Sequence, residues 1–242
     1  MIRYMRWNME DWYKRGKCYI AKNFVIFGKE QVAKQIEGVY ERILKYAKKE
    51  FLEKGYTDAF LRTIAAEAET STNSIYVRFK DKEGLFAAIV EPVSEEFMSR
   101  GLDVQETFHS FDSDVQRREV GKYSSDAMLG MVDYIYDHFD EFRLLLDASH
   151  GTKFCNFVNG LVSMEEEYTW KWLEATGSRM EPAGGLTAEF YHMMVTAYFE
   201  GIFEVVRHGM DREDAKKHVA MMGKYHHGGF LAIVGEETAE TK

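Results

Sequence analysis

The sequence predicts an all-α protein: an N-terminal three-helix unit with a helix-turn-helix, followed by a larger all-helical domain. Two observations favour this fold class. The 242 residues include only two prolines and nineteen glycines, the residues that supply the frequent turns of β-sandwiches and barrels. Apolar residues recur every three or four positions over most of the chain, which is the period of an amphipathic helix.

Composition and charge restrict the function. Apolar residues make up 45% of the chain, but no run approaches the roughly 18 to 20 apolar residues that a membrane-spanning helix needs. Residues 1–92 carry 17 Lys and Arg against 13 Asp and Glu, whereas residues 93–242 carry 14 against 27. This contrast indicates a polyanion-binding unit joined to a unit of another kind. Two isolated cysteines, Cys18 and Cys155, predict a reducing, cytoplasmic location.

The first element is predicted after a segment without a steady period. Residues 1–33 mix basic and aromatic side chains, and are predicted to be an N-terminal extension. This extension is either a basic arm or the product of an upstream start codon, with Met9 as another start. Helical spacing of apolar residues then predicts a first helix over 35–54, ended by Gly55.

Two short apolar patterns follow the first helix. One ends near Ala68 and the other contains Ile75 and Phe79, with a polar break at 69–71 between them. Two short helices across a tight turn make a helix-turn-helix.

The remaining elements are all predicted to be helices. One opens at Asp81 or Lys82 and reaches about Arg100, and Pro92 inside it predicts a kink. Residues 101–123 are polar and ambiguous, as is the loop over 177–185. Further helices are predicted at 124–138, 140–149, 152–176, 186–208 and 211–234, with Asp140 and Asp211 as N-caps and Gly151, Gly177 and Gly209 at exits.

The helix-turn-helix segment resembles the DNA-binding domain of the tetracycline-repressor (TetR) family of bacterial transcription regulators. The matching residues, in family order and spacing, are Gly55-Tyr56, Ile64-Ala65, Ile75-Tyr76, Phe79 and Asp81-Lys82-Glu83. The resemblance covers about residues 37–90. It implies a DNA-binding domain at 34–92 and a ligand-binding and dimerisation domain at 93–242. It also implies a homodimeric repressor whose partners are a palindromic DNA operator and a small-molecule effector, with no membrane partner. The Met and aromatic residues of 93–242 and the net charge of -13 there predict that this effector is apolar or amphipathic, and they disfavour an anion.

The residues themselves suit a DNA-binding face. Ser71 can cap the second short helix, and Ile75 and Phe79 bury one side of it. The outward side chains suit phosphates, base edges and thymine methyls, and Lys82 is placed to hold a phosphate at the next helix start. The alternative is that these side chains are only solvated and that Tyr76 is a core aromatic. The predicted DNA-binding residues are Arg62, Ser71, Thr72, Asn73, Ser74, Tyr76, Val77, Lys80 and Lys82.

Three residues depart from the family pattern. Glu69 takes the turn position where the family usually has glycine, and a left-handed backbone there costs about 1 to 2 kcal/mol. Phe60 replaces the Ser or Thr that caps the first short helix, so Thr57 or Asp58 is expected to cap instead. Asn73 replaces a common glycine and adds an amide that can pair with adenine.

Two further surfaces are predicted in the C-terminal domain. A Met-rich and aromatic lining would suit an adaptable apolar pocket, and the last two long helices are positioned like the family's dimer interface. Ordinary core packing is the alternative for both sets. The predicted pocket residues are Met128, Met131, Tyr134, Phe154, Phe157, Met164, Tyr168 and Trp172. The predicted dimer residues are Tyr198, Gly201, Ile202, Val205, Met222, Tyr225 and Phe230.

No catalytic, cofactor or metal site is predicted. Glu189 and His192 form one Glu-x-x-His motif, but a di-iron bundle needs two such motifs and further carboxylates, so we interpret the two as a salt-bridged pair. His226 and His227 lack a third ligand at helical spacing. The alternative functions are a helical metal- or cofactor-binding protein, and a family member that has lost DNA binding and binds proteins instead.

Overall fold

The computed structural model describes the backbone of residues 30–177 and 186–234, and side chains from Gly38 onward within those ranges. The predicted extension up to residue 29 and the loop over 178–185 lie outside these described residues. Within them the chain forms nine α-helices and one 3-10 turn, and no strand. The helices are α1 (Glu30–Asp58), α2 (Leu61–Glu67), α3 (Thr72–Phe79), α4 (Lys82–His109), α5 (Ser113–Asp137), α6 (Phe139–Asp147), α7 (Phe157–Thr176), α8 (Ala188–Arg207) and α9 (Arg212–Val234).

Helix α1 is interrupted where the sequence predicts its end. Gly55 has φ 72° and ψ 169°, a conformation that glycine adopts without the steric cost of a Cβ atom. The chain then turns, and the Tyr56 N–H donates to the Ala148 carbonyl oxygen at 3.1 Å. The helix-turn-helix unit is thereby attached to the segment that follows α6.

A small apolar core holds α1 to α4 together. The buried face of α1 presents residues at helical spacing, and the short helices each contribute one or two. The Phe51 ring lies 5.1 Å from the Phe86 ring of α4, edge to face. The fully or almost fully buried members are Ile43, Ala47, Phe51, Ile64, Ala68, Ile75, Leu85 and Phe86.

Helix α4 starts in tight contact with the end of α3. The Asp81 carboxylate accepts the Gly84 N–H at 2.7 Å, which caps the helix. A Cβ atom on Gly84 would lie 1.9 Å from the Phe79 carbonyl oxygen, so only glycine permits this approach. Helix α4 then continues through the exposed Pro92 to His109.

The ambiguous region 101–123 is largely helical, because α4 runs nine residues beyond Arg100 and α5 begins at Ser113. Tertiary contacts stabilise it: the buried Phe108 ring lies 5.1 Å from the Tyr123 ring. The buried Gln116 side chain of α5 donates to the carbonyl oxygen of His109, the last residue of α4, at 3.3 Å, and to that of Phe111 in the connection at 2.8 Å. Such contacts between helices are invisible in a local apolar period, and they supply most of the stability of a weakly amphipathic helix.

The C-terminal helices enclose a second core rich in phenylalanine. The Phe97 ring of α4 lies 5.0 Å from Phe142 of α6 and 5.9 Å from Phe157 of α7, and Phe142 stacks on Phe203 of α8. Helix α7 packs against α8, and α5 packs against α9. Across the described helices, none is both long and apolar enough to cross a membrane.

Two predicted helix starts need correction. Helix α6 begins at Phe139 with His138 as N-cap and no capping side chain, so Asp140 is not the cap. The helix predicted over 152–176 begins as a 3-10 turn over Lys153–Asn156, capped by the Thr152 hydroxyl, before α7 starts. Asp211 does cap α9, since its carboxylate accepts the Asp214 N–H at 3.0 Å.

Candidate nucleic-acid interface

Helix α3 has the two-sided arrangement that the sequence predicts. The Ser71 hydroxyl accepts the Ser74 N–H at 3.1 Å. Ile75 and Phe79 point into the core, whereas Tyr76 is 50% exposed and Val77 is 74% exposed. Tyr76 is therefore not a core aromatic, and the outer face of α3 combines a phenol and an isopropyl group with neighbouring polar side chains.

The predicted DNA-binding side chains all lie on the α2–α3 surface or at the start of α4. They differ in accessibility, because α2 and the first turn of α4 flank α3. The exposed members are Arg62, Ser71, Asn73, Tyr76, Val77 and Lys80, and the half-buried ones are Thr72, Ser74 and Lys82.

Arg78 is a cation of this surface that the sequence reasoning missed. Its Nη1 donates to the Ser74 hydroxyl at 2.5 Å and to the Ser74 carbonyl oxygen at 3.1 Å. The Ser74 hydroxyl is therefore engaged within α3. The signal was the spacing of four residues between a serine and an arginine, which places both on one side of a helix.

Lys82 is tied to the last residues of α1, which follow the interruption at Gly55. Its ammonium donates to the Thr57 carbonyl oxygen at 2.9 Å and lies 4.9 Å from the centre of the Tyr56 ring. Burial lowers the pKa of Lys82, against the opposing effect of the Asp58 and Glu50 carboxylates. An ammonium has three N–H donors, so two remain for a phosphate, and its contact to DNA stays a prediction.

Helix α2 is held by α1 and not by a side chain of its own N-terminal turn. Its N-cap is Phe60, which is 68% exposed and makes no capping bond. The buried Glu50 carboxylate of α1 accepts the Phe60 N–H at 3.1 Å, so the expectation that Thr57 or Asp58 caps α2 is wrong. Arg42 of α1 donates to the Ala68 carbonyl oxygen at the other end of α2, at 3.2 Å.

The tight turn between α2 and α3 has the strain expected of it. Glu69 has φ 49°, in the left-handed region where non-glycine residues are disfavoured. Its side chain is exposed, on the surface that carries the predicted DNA-binding residues. Lys80, which ends α3, is also left-handed with φ 70°.

The predicted pocket residues are distributed through the C-terminal core. Phe154 contacts Phe86, Phe157 contacts Phe203, and Trp172 contacts Phe230. Met128, Met131 and Phe157 are half-buried, while Tyr134, Phe154, Met164, Tyr168 and Trp172 are buried. A cleft of about 720 Å³ lies elsewhere, between α1, α4 and α6, and none of the eight residues lines it.

The predicted dimer residues divide into two groups. Ile202 and Val205 are buried in the chain's own core, Tyr198 stacks on His226, and Phe230 contacts Trp172 and Tyr191. Gly201 lets α9 approach α8, since a Cβ atom there would lie 2.3 Å from the Met222 methyl carbon. These contacts are the core packing that the sequence left open as an alternative. Tyr225 is 80% exposed, and Met193 and Met221 are more than half exposed on the same two helices.

The histidines form no metal cluster in the part of the chain that the structure describes. His192 pairs with Glu166 of α7, with Nδ1 2.9 Å from Oε1, so the predicted pairing with Glu189 is wrong. Burial lowers the pKa of His226 to about 4, which leaves its ring neutral at pH 7.

The capped helix α3 follows the short helix α2 across a tight turn and is joined to an all-helical domain, which is a helix-turn-helix arrangement. Residues 43–89 match the family described as bacterial regulatory proteins, tetR family. The N-terminal domain is thus of the TetR type, and the resemblance found in the sequence is confirmed.

Solved structures share the fold over most of the chain. One is SmeT, the repressor of the Stenotrophomonas maltophilia multidrug efflux pump SmeDEF, with 19% identity, a TM-score of 0.56, and coverage of 78% of this chain and 89% of that one. NalD, the secondary repressor of the MexAB-OprM pump in Pseudomonas aeruginosa, has 20% identity, a TM-score of 0.52, and coverage of 78% and 95%. The TetR family regulator PfmR from Thermus thermophilus has 17% identity, a TM-score of 0.54, and coverage of 82% and 97%. A comparison with curated protein sequences gave no match.

Proposed function

We propose that this protein is a homodimeric transcriptional repressor that binds a palindromic operator and is released by a small apolar or amphipathic effector. The observation that carries the proposal is the outer face of α3. Ser71 and the buried Ile75 fix that helix, so that Asn73, Tyr76 and Val77 project into solvent. An amide, a phenol and an isopropyl group are suited to adenine, phosphate and the thymine methyl in a major groove.

The exposed apolar side chains of α8 and α9 support a dimer. Met221 and Tyr225 lie one turn apart on α9, and Met193 lies on α8. Exposed apolar patches mark association surfaces, and two-fold pairing of the protein would match a palindromic site. SmeT and NalD, which share this fold, are repressors of multidrug efflux pumps, and this supports the repressor role.

The experiment is selection of DNA from a random pool by the purified full-length protein, followed by a salt titration on the selected sequence. We expect two half-sites centred about 34 to 36 Å apart. Each phosphate neutralised contributes about -0.9 to the slope of log K against log salt, so several contacts give a steep slope.

The outcomes separate the alternatives. Enrichment of a palindrome with a steep salt slope supports the proposal, and a single half-site argues against the dimer. No enriched sequence, or a flat salt profile, overturns it in favour of a family member that has lost DNA binding.

A further inference from the structure

A carboxyl group without a basic partner lies inside the C-terminal helices. Glu165 of α7 is placed between α4 and α8, where the Gln105 amide of α4 donates to its Oε2 at 2.8 Å. Across the described ranges no Lys, Arg or His forms an ion pair with it, and its neighbour Glu166 is the residue paired with His192. Burying a charged carboxylate without a basic partner costs free energy of folding, so a carboxyl group in this position is unusual.

Burial raises the pKa of Glu165 to about 7, opposed only by the hydrogen bond from Gln105. The carboxyl group is therefore divided between its neutral and charged forms near pH 7. Its side chain keeps part of its surface accessible. A cation that reached it would gain an ion pair at the cost of releasing a single proton.

The surroundings of Glu165 are aromatic and polar. The Glu165 charge contributes to the raised pKa of both Tyr191 and Tyr198 of α8, which lie two turns apart and so face α7 together. The hydroxyl oxygens of Tyr191 and Thr169 are 2.6 Å apart and joined by a hydrogen bond. Tyr198 stacks on the neutral His226 ring, with the ring centres 4.4 Å apart. Aromatic faces attract cations, so these walls favour the same class of ligand as the carboxylate.

The lining also contains unused hydrogen-bonding groups. Trp172, two turns along α7 from Glu165, is 3% exposed, and its Nε1 has no partner. The Thr196 hydroxyl of α8 is likewise buried without a partner. Buried polar groups are normally satisfied. The Trp172 N–H needs an acceptor, so it suits a polar atom of the ligand other than its cation, whereas the Thr196 hydroxyl can donate or accept.

We propose that Glu165 is the anchor for the positively charged group of a cationic amphipathic effector, whose apolar part packs among the aromatic rings between α7 and α8. The proposal deepens the effector role proposed above and rests on it. Long-range charge favours the same ligand, because residues 93–242 carry 14 basic against 27 acidic residues.

The site has a direct connection to the DNA-binding unit through α4. Gln105, which holds the Glu165 carboxyl group, lies on the same helix as Lys82, which holds the last residues of α1 at Thr57. The last turn of α4 is also attached to α7 at His109, whose Nε2 lies 2.9 Å from the Tyr168 carbonyl oxygen. A cation that takes the carboxylate from Gln105 therefore changes how the far end of α4 is held.

The test uses two fluorescent probes that differ in one charged group: diphenylhexatriene and its trimethylammonium derivative. Both are titrated into the full-length protein, the Glu165→Gln variant and a matched control, Glu167→Gln. Glu167 lies on the exposed side of α7 and pairs with Lys171. Gln at position 165 retains an acceptor for the Gln105 amide, and thermal unfolding of each variant checks that it is folded.

We expect the trimethylammonium probe to bind the wild type and Glu167→Gln at least about tenfold more tightly than the neutral probe, the effect of one charge-assisted contact. Glu165→Gln should remove this difference while leaving the neutral probe unchanged. Equal affinity of the wild type for the two probes, or no binding of either, overturns the proposal. DNA selection is scored separately, so a protein that binds an operator but ignores probe charge refutes only the Glu165 anchor.

Discussion

Glu69 is the residue through which the turn between α2 and α3, and its proposed position near DNA, can best be tested. Its backbone is left-handed, with φ 49°, and its carboxylate is exposed on the α2–α3 surface. These two properties are separable by substitution. Glu69→Gly removes both the strain and the charge, whereas Glu69→Gln removes the charge and keeps the strain.

The expected magnitudes follow from the two effects. A left-handed non-glycine residue costs about 1 to 2 kcal/mol, and the extra freedom of glycine in the unfolded chain offsets about 0.5 to 1 kcal/mol of that. Glu69→Gly should therefore stabilise the fold by about 0.5 to 1 kcal/mol, or about 1 to 4 °C in Tm. Glu69→Gln should leave Tm unchanged.

The charge acts on DNA affinity. A carboxylate about 8 Å from a phosphate across water is repelled by about 0.5 kcal/mol. A dimer on a palindrome has two such pairs, so the repulsion totals about 1 kcal/mol, which corresponds to about a fivefold weakening of binding. Both variants should therefore bind the selected operator about fivefold more tightly at low salt, and the gain should vanish at high salt.

Thermal melts and fluorescence anisotropy with labelled operator measure the two effects on the same samples. Lys80→Gly is the matched control, because it relieves a second left-handed residue, φ 70°, but removes a positive charge. It should raise Tm and weaken operator binding. If Glu69→Gln raises Tm as much as Glu69→Gly, the argument from backbone strain is refuted. If neither variant changes the affinity for DNA, the argument from charge repulsion is refuted.

Three further predictions concern DNA reading, transmission and pH. Asn73→Ala should relax the preference for one base at one operator position by about 1 to 3 kcal/mol, whereas Lys82→Ala should weaken binding to all operator sequences alike. Competition between operator variants distinguishes the two effects, and a base-selective loss from Lys82→Ala would contradict the assignment of Lys82 to a phosphate. Pro92→Ala should stiffen α4, leaving effector affinity nearly intact but reducing operator release, and release curves identical to wild type would refute a hinge there. Because the folded-state pKa of Glu165, about 7, lies above its ordinary value of 4.5, its neutral form stabilises the fold below about pH 4.5, and that contribution is lost as the pH rises through 7. Urea unfolding of wild type against Glu165→Gln should show a relative loss of up to about 3 kcal/mol over this range, and a constant difference would count against the raised pKa.

Local pattern in the sequence was sufficient for the helix-turn-helix. Gly55, Ser71 and Asp81 mark helix ends through backbone conformation and capping, which depend on neighbours only a few residues away. The inward placement of Ile75 and Phe79 follows from helical spacing alone. The family resemblance could therefore be inferred before any tertiary contact was known, and the glycine that the family usually has at position 69 pointed to the strained turn that the structure shows.

Only the tertiary structure decided what the long-range partners are. The Glu50 carboxylate satisfies the N–H of Phe60, and Gln105 meets Glu165 across 60 residues of chain. The tertiary structure also decided that Ile202 packs in the chain's own core, where the sequence had predicted a dimer contact. The spacing of apolar residues in a sequence shows which face of a helix is apolar. It does not show which other helix packs on that face, or whether a buried carboxylate there has a basic partner. Those properties arise when distant segments pack, because burial and charge pairing are set by whichever neighbours the fold brings within a few ångströms.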